Sequence, residues 1–379
     1  VKRTVIAISV LFILQCACAV PPAAADGSGA YPPDAFEDDV PDLSAGAFAL
    51  VDVRTGVVLT GHEIHAPMHP ASLTKLMTLL LAWELGRGDE RVPVGAGAAG
   101  TPGSSMGLRP GEMWSLESLL SGLMLPSGND AGVALAEHLG GSVRDFARLM
   151  NQRATMLNMN DTHYVNPHGL TEEMHLSTAH DLAVLTAAVL AVPQLRQIAS
   201  ARTAEVQSLQ GRSVQLTNTN RLLHEDISFK GVKTGTTAAA GRCLIAMGRS
   251  GGRELAAVIL KSTDRYGDAR RLLSWGFAQF TWETVLPSDR AVTSVAVSGA
   301  PGDRQLGIAP RRDLVFPVID GAPGAGEPAI HITRAASVVG PVRGPLGEAV
   351  VTLGGERIYS VPLYPRGQSE PSSRVTGTN

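Results

Sequence analysis

The sequence predicts an α+β protein: an antiparallel sheet carrying a large helical insertion, followed by a small all-β, sandwich-like domain. Three observations lead there. Runs of β-branched residues occur early, in "AFALVDVRTGVVLTGHE", and again much later, in "FKGVKTGTT", "GRCLIAMGR" and "RELAAVILK". Between them, from Ser72 to about Ser200, the apolar residues recur with helical spacing. Beyond Pro287 the texture turns to short β-rich runs broken by Gly and Pro. A chain of 379 residues is long for one domain. The expected organisation is a signal peptide at 1–25, a lead-in at 26–44, a catalytic-size domain at 45–284, a β domain at 285–365 and a disordered polar tail at 366–379.

The first two strands form a hairpin that turns at Arg54-Thr55-Gly56. A helix starts near Ser72 and buries Leu76, Leu79, Leu80 and Trp83. "SLESLLSGLML" ends at Pro126, and "NDAGVALAEHL" ends at Gly140-Gly141. "SVRDFARLMNQRATML" and "STAHDLAVLTAAVL" continue the helical region. Ser250-Gly251-Gly252 closes a second hairpin, and "DARRLLSWGFAQF" is a closing helix. Strands from both ends of this region share one sheet. The last domain reads as "VTSVAVSG", "DLVFPVID", "AIHITRA", "EAVVTLGG" and "RIYSVPLY".

Composition narrows the function. With 44% hydrophobic and 18% charged residues the chain is globular, and a net charge of −3 argues against nucleic acid as a partner. The basic start, the apolar run Val5 to Leu14 and the small residues that follow read as a secretory signal cleaved at Ala25/Asp26. A lipid anchor at Cys16 or Cys18 is the alternative, although the residues just before each cysteine suit that processing poorly. Cleavage leaves Cys243 alone, without an internal disulfide, in a strand pattern that suits a small buried hydrophobe. The histidines show no metal-ligand spacing, so no metal site is expected. No cofactor is expected either. The tail "RGQSEPSSRVTGTN" has no amphipathic face, so no membrane anchor is evident and the processed protein is expected to be soluble outside the cytoplasm.

Lysine is scarce. Only Lys2, Lys75, Lys230, Lys233 and Lys261 appear among 32 basic residues. Arginine cannot give up its proton at working pH, so the lysines outside the targeting segment, which holds Lys2, are candidates for places where a guanidinium will not serve. "SLTK" sets Ser72 and Lys75 three residues apart, where a neutral amine can take the hydroxyl proton as the oxygen attacks a carbonyl. Burial or a second cation would lower the amine's pKa. "LPSGND" supplies Ser127 and Asn129 at a sharp interhelical break, as a proton relay and an amide holder. "VKTGTT" puts Lys233, Thr234 and Gly235 on a strand: a cation, hydroxyls for a carboxylate, and a glycine that lets another backbone approach. Each motif alone has a plain structural explanation, as a cap, a turn or an edge-strand lysine. In this order, S-x-x-K, Ser-x-Asn and K-T-G match the set of class A β-lactamases and penicillin-binding proteins.

With "VNPHGLTEEMHLSTAHDLAVLT", "AAAGRCLIAM" and "RRLLSWGF", the chain resembles the low-molecular-mass penicillin-binding proteins, serine-type D-alanyl-D-alanine carboxypeptidases, over roughly residues 45–365. The resemblance implies a penicillin-binding/β-lactamase-like catalytic domain and removal of the terminal D-Ala from peptidoglycan pentapeptides through an acyl-enzyme. Its partners would be stem peptides ending in D-Ala-D-Ala, with β-lactams as covalent inhibitors. Ser72 would be the nucleophile, Lys75 its base, and Ser127, Asn129 and Lys233 the relay and positioning set. The backbone N–H groups of Ser72 and Thr236 would form the oxyanion hole, with Thr234, Gly235, Thr236 and Arg265 binding the substrate. Thr236 stands where the family often has a bulkier residue. Asp181 reads as helix first-turn stabilisation after Ser177 or Thr178. A D,D-endopeptidase shares every motif, and a β-lactamase remains an alternative, with Glu172 and Glu173 in the relevant region although no glutamate motif matches. A catalytically idle scaffold is disfavoured because the expected polar side chains are all present.

Overall fold

A computed structural model describes residues 30–31, 40–87, 89–297, 305–319, 329–335, 337–338, 344–353 and 355–366. The expected signal peptide with Cys16 and Cys18, most of the lead-in, and the tail beyond Arg366 lie outside the described residues. Strands β1 (Ala47–Asp52) and β2 (Val58–His62) form the first hairpin. The insertion then runs through α1 (Lys75–Leu85), β3 (Arg91–Pro93), α2 (Ala96–Ala99), β4 (Met113–Ser115), α3 (Leu116–Met124), α4 (Asn129–Gly140), α5 (Val143–Met156), α6 (Ala179–Ala191), α7 (Pro193–Ser200), β5 (Thr203–Gln207), β6 (Ser213–Thr217) and α8 (Leu222–Glu225). β7 (Phe229–Thr237), β8 (Gly241–Ser250), β9 (Arg253–Ser262) and α9 (Arg265–Gln279) complete it.

The early and late strands join in one antiparallel sheet of order β2-β1-β9-β8-β7, as the sequence predicts. The sheet is covered on both faces, and its side chains divide by strand alternation. Ala47, Ala49, Val51, Cys243, Ile245, Met247, Val258 and Leu260 pack with the helical insertion. Phe48, Leu50, Leu244, Ala246, Ala257 and Ile259 point the other way, toward Ala269, Leu272 and Leu273 of α9 and the C-terminal strands. That two-sided burial is why β8 and β9 read as nearly continuous apolar runs. Cys243 is free and fully buried, in keeping with its reading as a small hydrophobe.

The C-terminal region is all-β. β10 (Phe280–Leu286) pairs with β13 (Leu314–Ile319). β11 (Thr293–Val297), β12 (Gln305–Ala309), β14 (Ala329–Arg334), β15 (Ser337–Val338), β16 (Gly347–Leu353) and β17 (Glu356–Pro365) make a second sheet of order β14-β16-β17-β12-β11-β15. Its contacts with the first region are specific: Trp282 Nε1 donates to buried Asp52 Oδ2 at 2.9 Å, and Arg54 Nη2 to the Asp313 carbonyl at 2.6 Å.

One local expectation needs correction. The helix expected from near Ser72 begins at Lys75, and Ala71–Thr74 form a tighter 3-10 turn. Positions i and i+3 eclipse in that geometry, so Ser72 and Lys75 still face each other. Among the described residues, no single helix is long and apolar enough to cross a membrane.

Candidate active site

The site forms where the 3-10 turn, the head of α4 and the edge strand β7 converge. Ala71 holds φ 48°, a left-handed conformation that a non-glycine residue rarely adopts, immediately before Ser72. Ser72 is half-buried, and Lys75, one turn on, is fully buried. Lys75 Nζ lies 3.0 Å from Ser72 Oγ, 2.7 Å from Asn129 Oδ1 and 2.8 Å from the His168 carbonyl oxygen. Burial holds the Lys75 amine well below the ordinary lysine pKa; the Lys233 cation adds to this and the Asp130 carboxylate opposes it. A neutral amine donates only two hydrogens. With Asn129 Oδ1 and the His168 carbonyl accepting them, the lone pair is left to Ser72 Oγ.

The Ser-Gly-Asn break places its two polar side chains differently. Asn129 is spanned by two fixed contacts, accepting from Lys75 and donating through Nδ2 to the Pro102 carbonyl at 2.7 Å. Ser127 has φ 64°, and its buried hydroxyl has no hydrogen-bond partner. A left-handed non-glycine costs about 1–2 kcal/mol, and an unsatisfied buried hydroxyl adds to that. Both costs are typical of a group held ready for a ligand.

Lys233 lies on the edge strand β7 but is 1% exposed, so it does not serve as a solvated edge cation. Burial, then the Arg265 guanidinium, lowers its pKa from 10.5 to about 7. Nζ donates to the Thr234 carbonyl at 3.1 Å. The Thr234 hydroxyl meets Thr219 Oγ1 at 2.7 Å. Gly235 is needed for close approach: a Cβ there would lie 3.1 Å from the Ala71 Cβ, the Pro70 carbonyl oxygen and the Ser72 nitrogen. Thr236 is exposed at the rim. Arg265, at the head of α9, donates through Nη1 to the Gly235 carbonyl (2.9 Å), Thr236 Oγ1 (2.9 Å) and the Cys243 carbonyl (3.2 Å). All nine predicted site residues therefore fall in one neighbourhood.

Sequence reasoning missed several supports. Asp130 is fully buried and accepts from the Ser105 hydroxyl and from the backbone N–H groups of Met106, Gly107, Leu108 and Ala131, pinning the 105–108 loop beside Asn129. Its position in "SGND" was visible, but a first-turn acid on α4 also reads as an ordinary dipole partner. The His168 carbonyl left no trace in the sequence, because every residue has one. Asp181 sits in the first turn of α6, capped by Thr178, and accepts from Thr162 Oγ1 at 2.7 Å and the Asp161 N–H at 3.1 Å; its work is structural, as expected. Glu172 and Glu173 are exposed. Among the described residues, no group of three or more His, Cys, Asp or Glu side chains is placed to hold a metal.

Comparison with known proteins identifies the family. The D-alanyl-D-alanine carboxypeptidase family model matches residues 34–264. The chain belongs to the D-alanyl-D-alanine carboxypeptidase family. It is 37% identical over 276 residues to D-alanyl-D-alanine carboxypeptidase DacD of Escherichia coli, covering 68% of this chain and 69% of that one. With DacF of Bacillus subtilis the identity is 33% over 261 residues, 67% of each chain. Among solved structures, penicillin-binding protein 5 of Haemophilus influenzae superposes with a TM-score of 0.69 at 27% identity, over 86% of this chain and 97% of that one. The fold of this D-alanyl-D-alanine carboxypeptidase family member is thus that of a penicillin-binding protein, with a separate all-β C-terminal region.

Proposed function

We propose that this chain removes the terminal D-Ala from peptidoglycan stem pentapeptides through an acyl-enzyme on Ser72, and that β-lactams acylate the same serine. The observation that carries the reading is the buried Lys75 amine at 3.0 Å from Ser72 Oγ, with its other two acceptors already in place. As Ser72 Oγ bonds to the penultimate D-Ala carbonyl carbon, its proton passes to Lys75 Nζ. Backbone N–H groups of Ser72 and Thr236 receive the developing oxyanion. The C–N bond then breaks and the leaving D-Ala nitrogen takes a proton through the Ser127 hydroxyl, a buried group with no hydrogen-bond partner within the protein. Water attacks the ester by the same steps in reverse, freeing Ser72. Lys233, Thr234, Thr236 and Arg265 surround the place where the substrate carboxylate binds, and the outer edge of β7 offers backbone groups to an extended peptide.

The reading includes export by the 1–25 segment to the extracytoplasmic side, where peptidoglycan lies, and a division into a 45–284 catalytic domain and a 285–365 β domain. Incubation of the purified chain with a D-Ala-D-Ala pentapeptide should release D-Ala with burst kinetics. Faster cleavage of cross-linked peptide dimers would instead identify an endopeptidase. Rapid nitrocefin turnover would identify a β-lactamase.

A further inference from the structure

We propose that His175 and Thr74 are positioning residues for Ser72: a one-directional hydrogen-bond chain running through them to the Ala71 carbonyl fixes the turn that aims the nucleophile. This rests on the reading of Ser72 as the acylated serine. The direction of the chain follows from its first donor. The Val165 backbone N–H donates to His175 Nδ1 at 3.1 Å, and a backbone amide can only donate. Nδ1 therefore carries no proton, and the neutral ring holds its hydrogen on Nε2. Nε2 lies 2.8 Å from Thr74 Oγ1, which in turn donates to the Ala71 carbonyl at 2.8 Å. Each link has one donor and one acceptor.

The ring is held in this state. His175 is 1% exposed, and Tyr164 packs edge-on against it with ring centroids 5.6 Å apart. Burial foremost, with the neighbouring His168, His163 and His69, pushes its pKa down to about 3, so the imidazole is neutral under physiological conditions.

The carbonyl at the end of the chain belongs to Ala71, the residue with φ 48° just ahead of Ser72. It packs against Gly169, where a Cβ would come within 1.8 Å of it. The 163–178 segment thus straps this turn from one side. The same strap gives the Pro167 carbonyl to Thr78 Oγ1 at 2.6 Å and the His168 carbonyl to Lys75 Nζ. It closes on Met68 through the pair Met68 N to Ser177 O, 2.8 Å, and Ser177 N to Met68 O, 2.9 Å. Of the three hydrogen bonds that the strap makes to Thr74, Lys75 and Thr78, only the Thr74 link continues to the backbone of the nucleophile turn, beside the Gly169 contact. Lys233, Thr234 and Arg265 lie on β7 and α9 and are not part of it. Loss of the link should therefore slow bond formation and spare the initial binding of ligand.

The test is stopped-flow acylation of the full chain by a penicillin, separating the limiting acylation rate from the non-covalent dissociation constant. Thr74→Val, close in shape but without the hydroxyl, should lower the limiting rate about 10-fold, the factor expected for one buried hydrogen bond, with the dissociation constant within about twofold. Thr74→Ser should restore the rate. Thr74→Val combined with His175→Phe should lose no more than the worse single change, because both break one chain. Folded Thr74→Val acylating at the wild-type rate, a loss confined to the dissociation constant, or multiplicative losses in the double variant would each overturn the proposal. If His175→Phe does not fold, the Thr74→Val and Thr74→Ser pair decides alone. A wild-type chain that takes no penicillin would refute the reading of Ser72 itself, a separate failure.

Discussion

Replacing Lys233 with methionine tests the electrostatics on which the site depends. Met matches the lysine stem in volume and removes the charge. In the folded protein the Lys233 pKa falls from 10.5 to about 7, through burial and the nearby Arg265. Below pH 7 both folded and unfolded chains hold the proton, and the folded chain bears the full cost of a buried ammonium. Between pH 7 and 10.5 the unfolded chain binds more protons, so stability rises with pH and the cost fades. At ~1.4 kcal/mol per pH unit between the two values, the ceiling is roughly 5 kcal/mol. Replacement of buried ion pairs by apolar side chains is often neutral or gains about 1–4 kcal/mol, and the bond from Nζ to the Thr234 carbonyl favours the lower part of that range here. Removing Lys233 also relieves Lys75 of a neighbouring cation, which acts in the same direction. Urea unfolding of wild type and Lys233→Met at pH 6, 8 and 10 should show a gain of about 2 kcal/mol at pH 6 that shrinks toward zero by pH 10, with the urea dependence unchanged. An equal gain at pH 6 and 10 would assign the effect to packing. Destabilisation at pH 6 would refute the idea of a costly cation.

Lys75→Arg keeps a charge but has no accessible neutral form, so acylation by peptide and penicillin should fall at least ~100-fold in a folded chain, measured by stopped-flow labelling. Lys233→Arg, at a position proposed to need a cation, should be milder in the same assay. Gly235→Ala should push β7 away from the Ser72 turn, since the added methyl meets three atoms at 3.1 Å; a penicillin labelling rate about 10-fold or more below wild type is expected, and an unchanged rate would mean the two backbones need not stay close. Ser127→Ala removes a buried hydroxyl that has no partner, so the melting temperature should hold or rise while D-Ala release slows.

The parts of the molecule that were legible in the sequence are those where chemistry or periodicity dictates residue type. Ser72, Lys75, Asn129 and Lys233 stand out because three motifs, each ordinary alone, occur together in one order, and because lysine is scarce here. β1, β2 and β7 to β9 follow from β-branched runs and turn residues. Other features depend on the tertiary structure. The 3-10 turn at Ala71–Thr74 arises from packing against Gly169 and Gly235, which no local propensity encodes. The β texture reads as beginning after Pro287, yet β10 starts at Phe280, because pairing with β13 extends the chain directly from α9. Asp130 and His175 look like a helix-turn acid and a loop histidine until the loops they hold are folded over the site.

Acylation of Ser72 with Lys75 as its base can be read by intact-protein mass spectrometry after incubation with benzylpenicillin, followed by peptide mapping. A single adduct of one penicillin mass is expected on the peptide that contains Ser72, present in wild type and missing from Ser72→Ala and Lys75→Arg chains that melt normally. An adduct on another residue, or an undiminished adduct in folded Lys75→Arg, would contradict it.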